Sequence, residues 1–213
     1  MSARAREIES RLILLLGGAR SGKSAYGEQL AARLAGKAPV TYIATATASD
    51  DEMRARISRH RASRPPHWRT IEEPLNPATA LRATTSPVVL LDCMTLLVAN
   101  LLLEGAPESG SEQAESSTDA ETRIDQTISD LLDVWRAQPT TLILISNEVG
   151  MGLVPPYPLG RVYRDCLGRV NTRIAAEADS VLLMLAGLPV ELKALAAAWE
   201  QEVARRLGNE RRF

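Results

Sequence analysis

The segment Gly17 to Ser24, GGARSGKS, satisfies every required position of the phosphate-binding pattern G-x-x-x-x-G-K-[ST] and directly follows the apolar run Leu12-Ile13-Leu14-Leu15-Leu16. That order calls for a buried strand, a glycine loop and a helix start in succession. Backbone N–H groups of such a loop, backed by a helix N-terminus, wrap a polyphosphate without interference from side chains. Lys23 then reaches the terminal phosphates and Ser24 ligates Mg²⁺. An ordinary strand-ending turn needs neither the lysine nor the serine.

Further apolar runs read as buried parallel strands at Val40 to Ala44, Val88 to Leu91, Thr141 to Ile145 and Val181 to Leu185. Helical patterns separate most of them, at Lys23 to Leu34, Asp51 to Arg64, Met94 to Leu103, Glu121 to Ala137, Arg161 to Ala178 and Val190 to Leu207. The alternation predicts an α/β P-loop fold, with a mainly parallel central sheet flanked by helices and ligands at the carboxyl ends of the strands. At 213 residues, one core and one domain over 1–213 is the expectation. Residues 1–10 read as a short polar extension. Glu104 to Ala120, EGAPESGSEQAESSTDA, reads as a mobile acidic insertion, for it holds no basic or aromatic residue.

A net charge of −1 offers no general attraction for nucleic acid or an anionic membrane, so any anion site must be local. Cys93 and Cys166 fall inside apparent elements at no metal-ligand spacing, which fits two buried thiols in a reducing cytoplasm. The longest apolar stretch, Val88 to Leu103, is broken by Asp92, Thr95 and Asn100 and is short of the ~20 residues a membrane span needs.

The run VVLLD sets Asp92 at a strand end, where a carboxylate can hold Mg²⁺ directly or through water; the same position also suits a helix N-cap. Met53 to Arg69 carries Arg54, Arg56, Arg59, Arg61, Arg64 and Arg69 with no acidic residue, either a solvated basic face or an anion-facing arm. Within it, Met53, Ile57 and His60 share one helical face. His60 is then either a packed structural residue or a nucleophile, and its arginine neighbours disfavour the imidazolium form. His67, beside Pro65, Pro66 and Trp68, reads as a turn residue. Asn147 and Glu148 follow a predicted strand, and the glycines and prolines after them, Gly150, Gly152, Pro155, Pro156 and Pro158, predict a long substrate-side loop.

Taken in order, GGARSGKS, YIAT at Tyr42 to Thr45, DDEMRARISRHR at Asp50 to Arg61, HWRTIEEP at His67 to Pro74, LLDCMT at Leu90 to Thr95, SNEVGMGLVP at Ser146 to Pro155 and YRDCLGRVN at Tyr163 to Asn171 resemble the bifunctional adenosylcobinamide kinase and adenosylcobinamide-phosphate guanylyltransferase family of cobalamin biosynthesis. The resemblance implies two reactions. A nucleoside triphosphate, ATP or GTP, phosphorylates adenosylcobinamide; GTP then donates GMP to adenosylcobinamide phosphate, giving adenosyl-GDP-cobinamide and pyrophosphate. By position, His60 resembles the histidine that carries GMP covalently, and Lys23 is the second catalytic residue. Gly17, Gly18, Ala19, Arg20, Ser21, Gly22, Lys23, Ser24, Ala44, Thr45, Ala46, Arg61, Ala62, Ser63, Arg64, Glu72 and Asp92 correspond to nucleotide-binding positions, with Ser24 and Asp92 at the metal. The resemblance also implies a homotrimer. This chain departs from some relatives in having Arg59-His60 in place of adjacent histidines, in the Glu104 to Ala120 insertion and in Pro156-Tyr157-Pro158.

Two other functions compete. A different small-molecule kinase would keep the loop and Asp92 but give His60 no covalent role. A GTP-dependent switch would need a guanine-reading N-K-x-D, whereas Asn147-Glu148 runs into Val149-Gly150.

Overall fold

The computed structural model describes residues 10–47, 64–104 and 117–210. The elements run β1 (Leu12–Gly17), α1 (Lys23–Ala35), β2 (Val40–Ala44), β3 (Arg69–Glu72), α2 (Pro77–Arg82), β4 (Val88–Asp92), α3 (Met94–Leu103), α4 (Ser117–Arg136), β5 (Thr141–Ile145), α5 (Pro158–Glu177), β6 (Ser180–Leu185), β7 (Leu188–Glu191) and α6 (Leu192–Glu210). The strands form a seven-stranded sheet in the order β3-β2-β4-β5-β1-β6-β7. All pairings are parallel except β6 with β7. The predicted α/β architecture is therefore the observed one.

Side chains of the central strands alternate between two buried layers, as the period of a strand requires. Leu12, Leu14, Ile43, Val89, Leu91, Leu142 and Leu144 join the core beneath α2, α3, α4 and α5. Ile13, Leu15, Tyr42, Leu90, Ile143 and Ile145 face the smaller layer under α1. Burial on both faces makes these strands continuous apolar runs. Helix α1 lies close to the sheet because Gly27 has no side chain: a Cβ there would come within 3.0 Å of Ile145 Cδ1 and 3.1 Å of Leu15 Cδ1. That close seat sets the height of the phosphate loop above the strand ends.

Several boundaries differ from expectation. Helix α4 begins at Ser117, inside the stretch read as insertion, and Ala120 is already buried against the core. Helix α5 begins at Pro158, whose fixed φ suits a first helical position. Val190 and Glu191 belong to β7, so the last helix starts at Leu192. Strand β3, helix α2 and strand β7 are additions of four, six and four residues. The expected helix Asp51 to Arg64 lies outside the described residues apart from Arg64, as do insertion residues 105–116. No described helix is long and apolar enough to cross a membrane.

Candidate functional site

The chain leaves β1 through α1 toward β2 on one side, and leaves β5 through α5 toward β6 on the other. The carboxyl ends of β4, β5 and β1, adjacent in that order, thus border a switch point, the place where open α/β sheets take ligands. Phosphate loop, Asp92 and Asn147 all lie along this edge.

Loop geometry follows from its glycines. Gly17 has φ +149°, and a Cβ on it would lie 2.6 Å from the Met184 carbonyl oxygen. Gly22, with φ 94°, caps α1. The loop is also braced from the β6–β7 turn, where Gly187 N–H donates to the Ser21 carbonyl at 3.0 Å. Positive φ at both Ala186 (49°) and Gly187 (83°) gives this two-residue hairpin its tight primed turn. Gly17→Ala should therefore cost on the order of 1–3 kcal/mol of backbone strain, besides the clash. A lowered thermal midpoint together with weakened nucleotide binding is the expected result, and wild-type values for both would contradict the close-approach argument.

Lys23 is 8% exposed and folds back over the loop, its Nζ donating to the Gly17 carbonyl at 3.0 Å and to the Gly18 carbonyl at 2.6 Å. Burial lowers its pKa, while the nearby Asp92 carboxylate acts in the opposite direction. The ammonium is thus held at the loop by neutral carbonyls, which it can exchange for the stronger acceptors of a phosphate. Ser24, half-buried in the first turn of α1, makes no side-chain hydrogen bond among the described residues.

Asp92 ends β4 in register with Ala44 and has the same strand parity as Val88 and Leu90, which places it on the α1 side of the sheet. Its Oδ2 accepts from the Tyr42 hydroxyl at 2.8 Å. Its Oδ1 carries no hydrogen bond among the described residues. The capping alternative is not realised, for the N-cap of α3 is Cys93 and no side chain caps it. Cys93 itself is half-buried at the strand–helix junction and not inside an element. Burial, then the charge of Asp92, pushes its thiol up to about 11, so it is protonated at neutral pH and a poor nucleophile.

At the end of β5 the backbone is tied on several sides. Asn147 N–H donates to Thr95 Oγ1 at 2.9 Å, its carbonyl accepts from Asn171 Nδ2 at 2.9 Å, and Glu148 N–H donates to the Gly17 carbonyl at 3.1 Å. Asn171 is 5% exposed and also receives the Ser146 hydroxyl at 2.6 Å. The Asn147 side-chain amide makes no hydrogen bond among the described residues, and the residue follows β5, the strand between β4 and β1.

The remaining candidates lie farther along the same edge. Glu72, at the end of β3, pairs in register with Ala44 and lies four strand spacings from β1, roughly 19 Å. Thr45 is fully buried and its Oγ1 both donates to the Cys93 carbonyl (2.7 Å) and accepts from Cys93 N–H (2.8 Å), while its carbonyl accepts from Asn100 Nδ2 at 2.9 Å. Ala44 and Ala46 flank it. The Arg64 guanidinium stacks over the Tyr42 ring, 3.2 Å from its centroid, and pairs with Glu28 at 3.6 Å. His67 is exposed in a turn that Trp68 N–H closes on the Pro65 carbonyl. His60, Arg61, Ala62 and Ser63 lie outside the described residues.

The residues at this edge fit a phosphate-bound Mg²⁺. Ser24 and Asp92 each offer an uncommitted oxygen beside a loop built for phosphate. Among the described residues no cluster of three or more His, Cys, Asp or Glu could hold a metal alone, and Mg²⁺ in such sites takes its other ligands from phosphate and water.

The sequence profile described as cobinamide kinase / cobinamide phosphate guanyltransferase matches residues 13–192. The chain belongs to this family. The bifunctional adenosylcobalamin biosynthesis protein CobU of Salmonella typhimurium is 44% identical over 185 residues, covering 85% of this chain and 99% of that protein. Its Escherichia coli namesake is 41% identical over 184 residues with the same two shares. The bifunctional adenosylcobalamin biosynthesis protein CobP of Pseudomonas aeruginosa is 46% identical over 182 residues, 84% of this chain and 96% of that one.

The family match ends at Leu192, the first residue of α6, so nearly all of that helix lies beyond it. Leu195 and Trp199 on α6 are 56% and 65% exposed, and the helix adds little to the core. A chain ending at Lys193, which keeps the Lys193 ammonium on the Ala178 carbonyl, should retain both family activities. Loss of either in a folded truncation would show that α6 serves the site.

Proposed function

We propose that this protein phosphorylates adenosylcobinamide with a nucleoside triphosphate and then transfers GMP from GTP to the product, giving adenosyl-GDP-cobinamide and pyrophosphate. The observation that carries this reading is the convergence of Lys23, Ser24 and Asp92 at one sheet edge within a chain whose family is defined by these two activities.

In the kinase step, the N–H groups of Gly18 to Lys23 and the Lys23 ammonium bind and orient the triphosphate and neutralise charge on the group in transfer. Mg²⁺, when held by Ser24 and Asp92, adds charge neutralisation on the phosphate oxygens. Arg20, with φ 57°, helps aim the loop N–H groups inward. In the second step His60 attacks the α-phosphorus of GTP, pyrophosphate leaves, and the corrinoid phosphate displaces the histidine from the GMP. Arg61 follows it directly and Arg64 lies four positions on; Ala44 to Ala46 and Glu72 supply further contacts to the nucleotide on the far part of the edge. The two steps attack different phosphorus atoms, so the nucleotide takes two poses. The same family reading carries a single domain, a homotrimer and a cytoplasmic location, to be checked by light scattering and cell fractionation.

The test is a pair of labelled GTP preparations. Label from the γ-phosphate should pass to adenosylcobinamide, and label from the α-phosphate should appear first on the protein in acid-labile form and then on adenosylcobinamide phosphate. A kinase of another small molecule would transfer neither label to the corrinoid. A switch would hydrolyse GTP without it.

A further inference from the structure

Tyr42 lies in the middle of β2 and is 3% exposed, yet its hydroxyl is not spent on the core: it donates to Asp92 Oδ2 at 2.8 Å. Its ring is held from the other direction. The Arg64 guanidinium lies 3.2 Å from the ring centroid, Arg64 Nη1 donates to Thr70 Oγ1 on β3 at 3.2 Å, and Arg64 Nε sits 3.6 Å from Glu28 Oε1 on α1. With side chains only 8% and 20% exposed, Arg64 and Glu28 form a largely buried ion pair, which makes the guanidinium costly to move away from this carboxylate. The ring is thus buried, covered by Arg64 on one face and tied to Asp92 at its hydroxyl.

A carboxylate at the end of a strand rotates over a broad, two-fold torsional minimum, so by itself it presents either oxygen in many directions. A donor fixed on one oxygen removes that freedom. We propose that Tyr42, backed by Arg64 and Glu28, is a positioning residue for Asp92: its hydrogen bond to Oδ2 fixes the carboxylate plane and leaves Oδ1, which has no hydrogen bond among the described residues, as the freer oxygen for a cation shared with Ser24. The proposal rests on the reading of Asp92 as the metal carboxylate given above. It also gives Arg64 a definite task, as the wall behind the tyrosine, distinct from direct contact with the nucleotide.

Partners that orient a metal-binding carboxylate typically contribute 10–100-fold to metal affinity. Tyr42→Phe keeps the ring, its burial and its stack on Arg64, and removes only the hydroxyl. Binding of a fluorescent GTP analogue is measured across a Mg²⁺ titration and again in EDTA, for wild type, Tyr42→Phe, Arg64→Lys and Asp92→Asn. Affinity in EDTA should stay within about twofold for Tyr42→Phe, while the Mg²⁺ concentration for half-maximal enhancement should rise about tenfold or more. Arg64→Lys, which lacks the planar stack, should shift the same curve in the same direction by less, and it decides the matter should Tyr42→Phe fail to fold. A merely structural tyrosine would change both affinities together or neither. An unshifted Mg²⁺ curve for Tyr42→Phe, or for Arg64→Lys in its place, alongside a shifted one for Asp92→Asn overturns the positioning role. An unshifted curve for Asp92→Asn overturns the metal reading beneath it.

Discussion

A folded Lys23→Ala protein is expected to lose both phosphoryl and guanylyl transfer, each by a factor of at least about 10²–10³, equivalent to about 3–4 kcal/mol of transition-state stabilisation. The magnitude follows from where the ammonium sits. It is buried, held by the Gly17 and Gly18 carbonyls in the mouth of the loop, and it shares the edge with Asp92. A charge partly shielded from water interacts with phosphate oxygens more strongly than one in bulk solvent. In the proposed scheme both reactions use a triphosphate seated on the same loop, so the loss should fall on both. The substitution should not unfold the chain, for the three carbonyl and hydroxyl acceptors of Nζ lie at a partly exposed loop that water can reach. The check is steady-state kinetics for each half-reaction beside a thermal melt. Turnover near wild type in either reaction would remove the loop from the mechanism of that reaction.

Much of this site is written locally in the chain. Apolar strand, glycines, lysine and serine sit within a dozen or so positions, and the φ of Gly17 and Gly22 requires residues without a side chain. Long apolar strands were legible because burial on both faces makes them continuous. Strands β3 and β7 were not: RTIE and LPVE are short and mixed in polarity, and each gains its ladder only from a neighbour already in place. Helix α2 could have been read, since Asn76 accepts from Thr79 N–H as an N-cap and Pro77 follows at the first helical position.

What local reading could not supply is the strand order. Tyr42 and Asp92 are 50 positions apart, and Ser146 and Asn171 are 25 apart. Each pair meets only because β2 lies beside β4, and because α5 packs back across the end of β5. Asp92 was identified from its place at a strand end, but its fixed orientation is a property of the assembled sheet. In the sequence Tyr42 stands out only as part of the YIAT motif, since nothing in its neighbours along the chain reveals a hydroxyl aimed at a carboxylate. The arm that bears His60 is the opposite case: its role rests on sequence resemblance, and experiment on that residue decides it.

His60→Ala is expected to abolish GMP transfer and covalent labelling by GTP while leaving much of the kinase step. In the proposed mechanism only the second reaction needs an imidazole, because only there would a nucleophile of the protein divide one displacement into two. The kinase step depends on positioning and charge at the loop, which the substitution does not touch. Two other candidates among the described residues are poorly suited: the Cys93 thiol is pushed up to about 11 by burial, and His67 sits in an exposed turn before β3. The attacking form is the neutral ring, so guanylyl transfer should fall as pH drops through the histidine's pKa, whereas the kinase rate should not follow the same curve. Mass spectrometry of the protein after incubation with GTP should place the adduct on His60. An adduct that persists in His60→Ala, or maps to His67 or a lysine, would assign the nucleophile elsewhere, and a kinase rate that falls in step with guanylyl transfer would show that the two reactions share more than the phosphate loop.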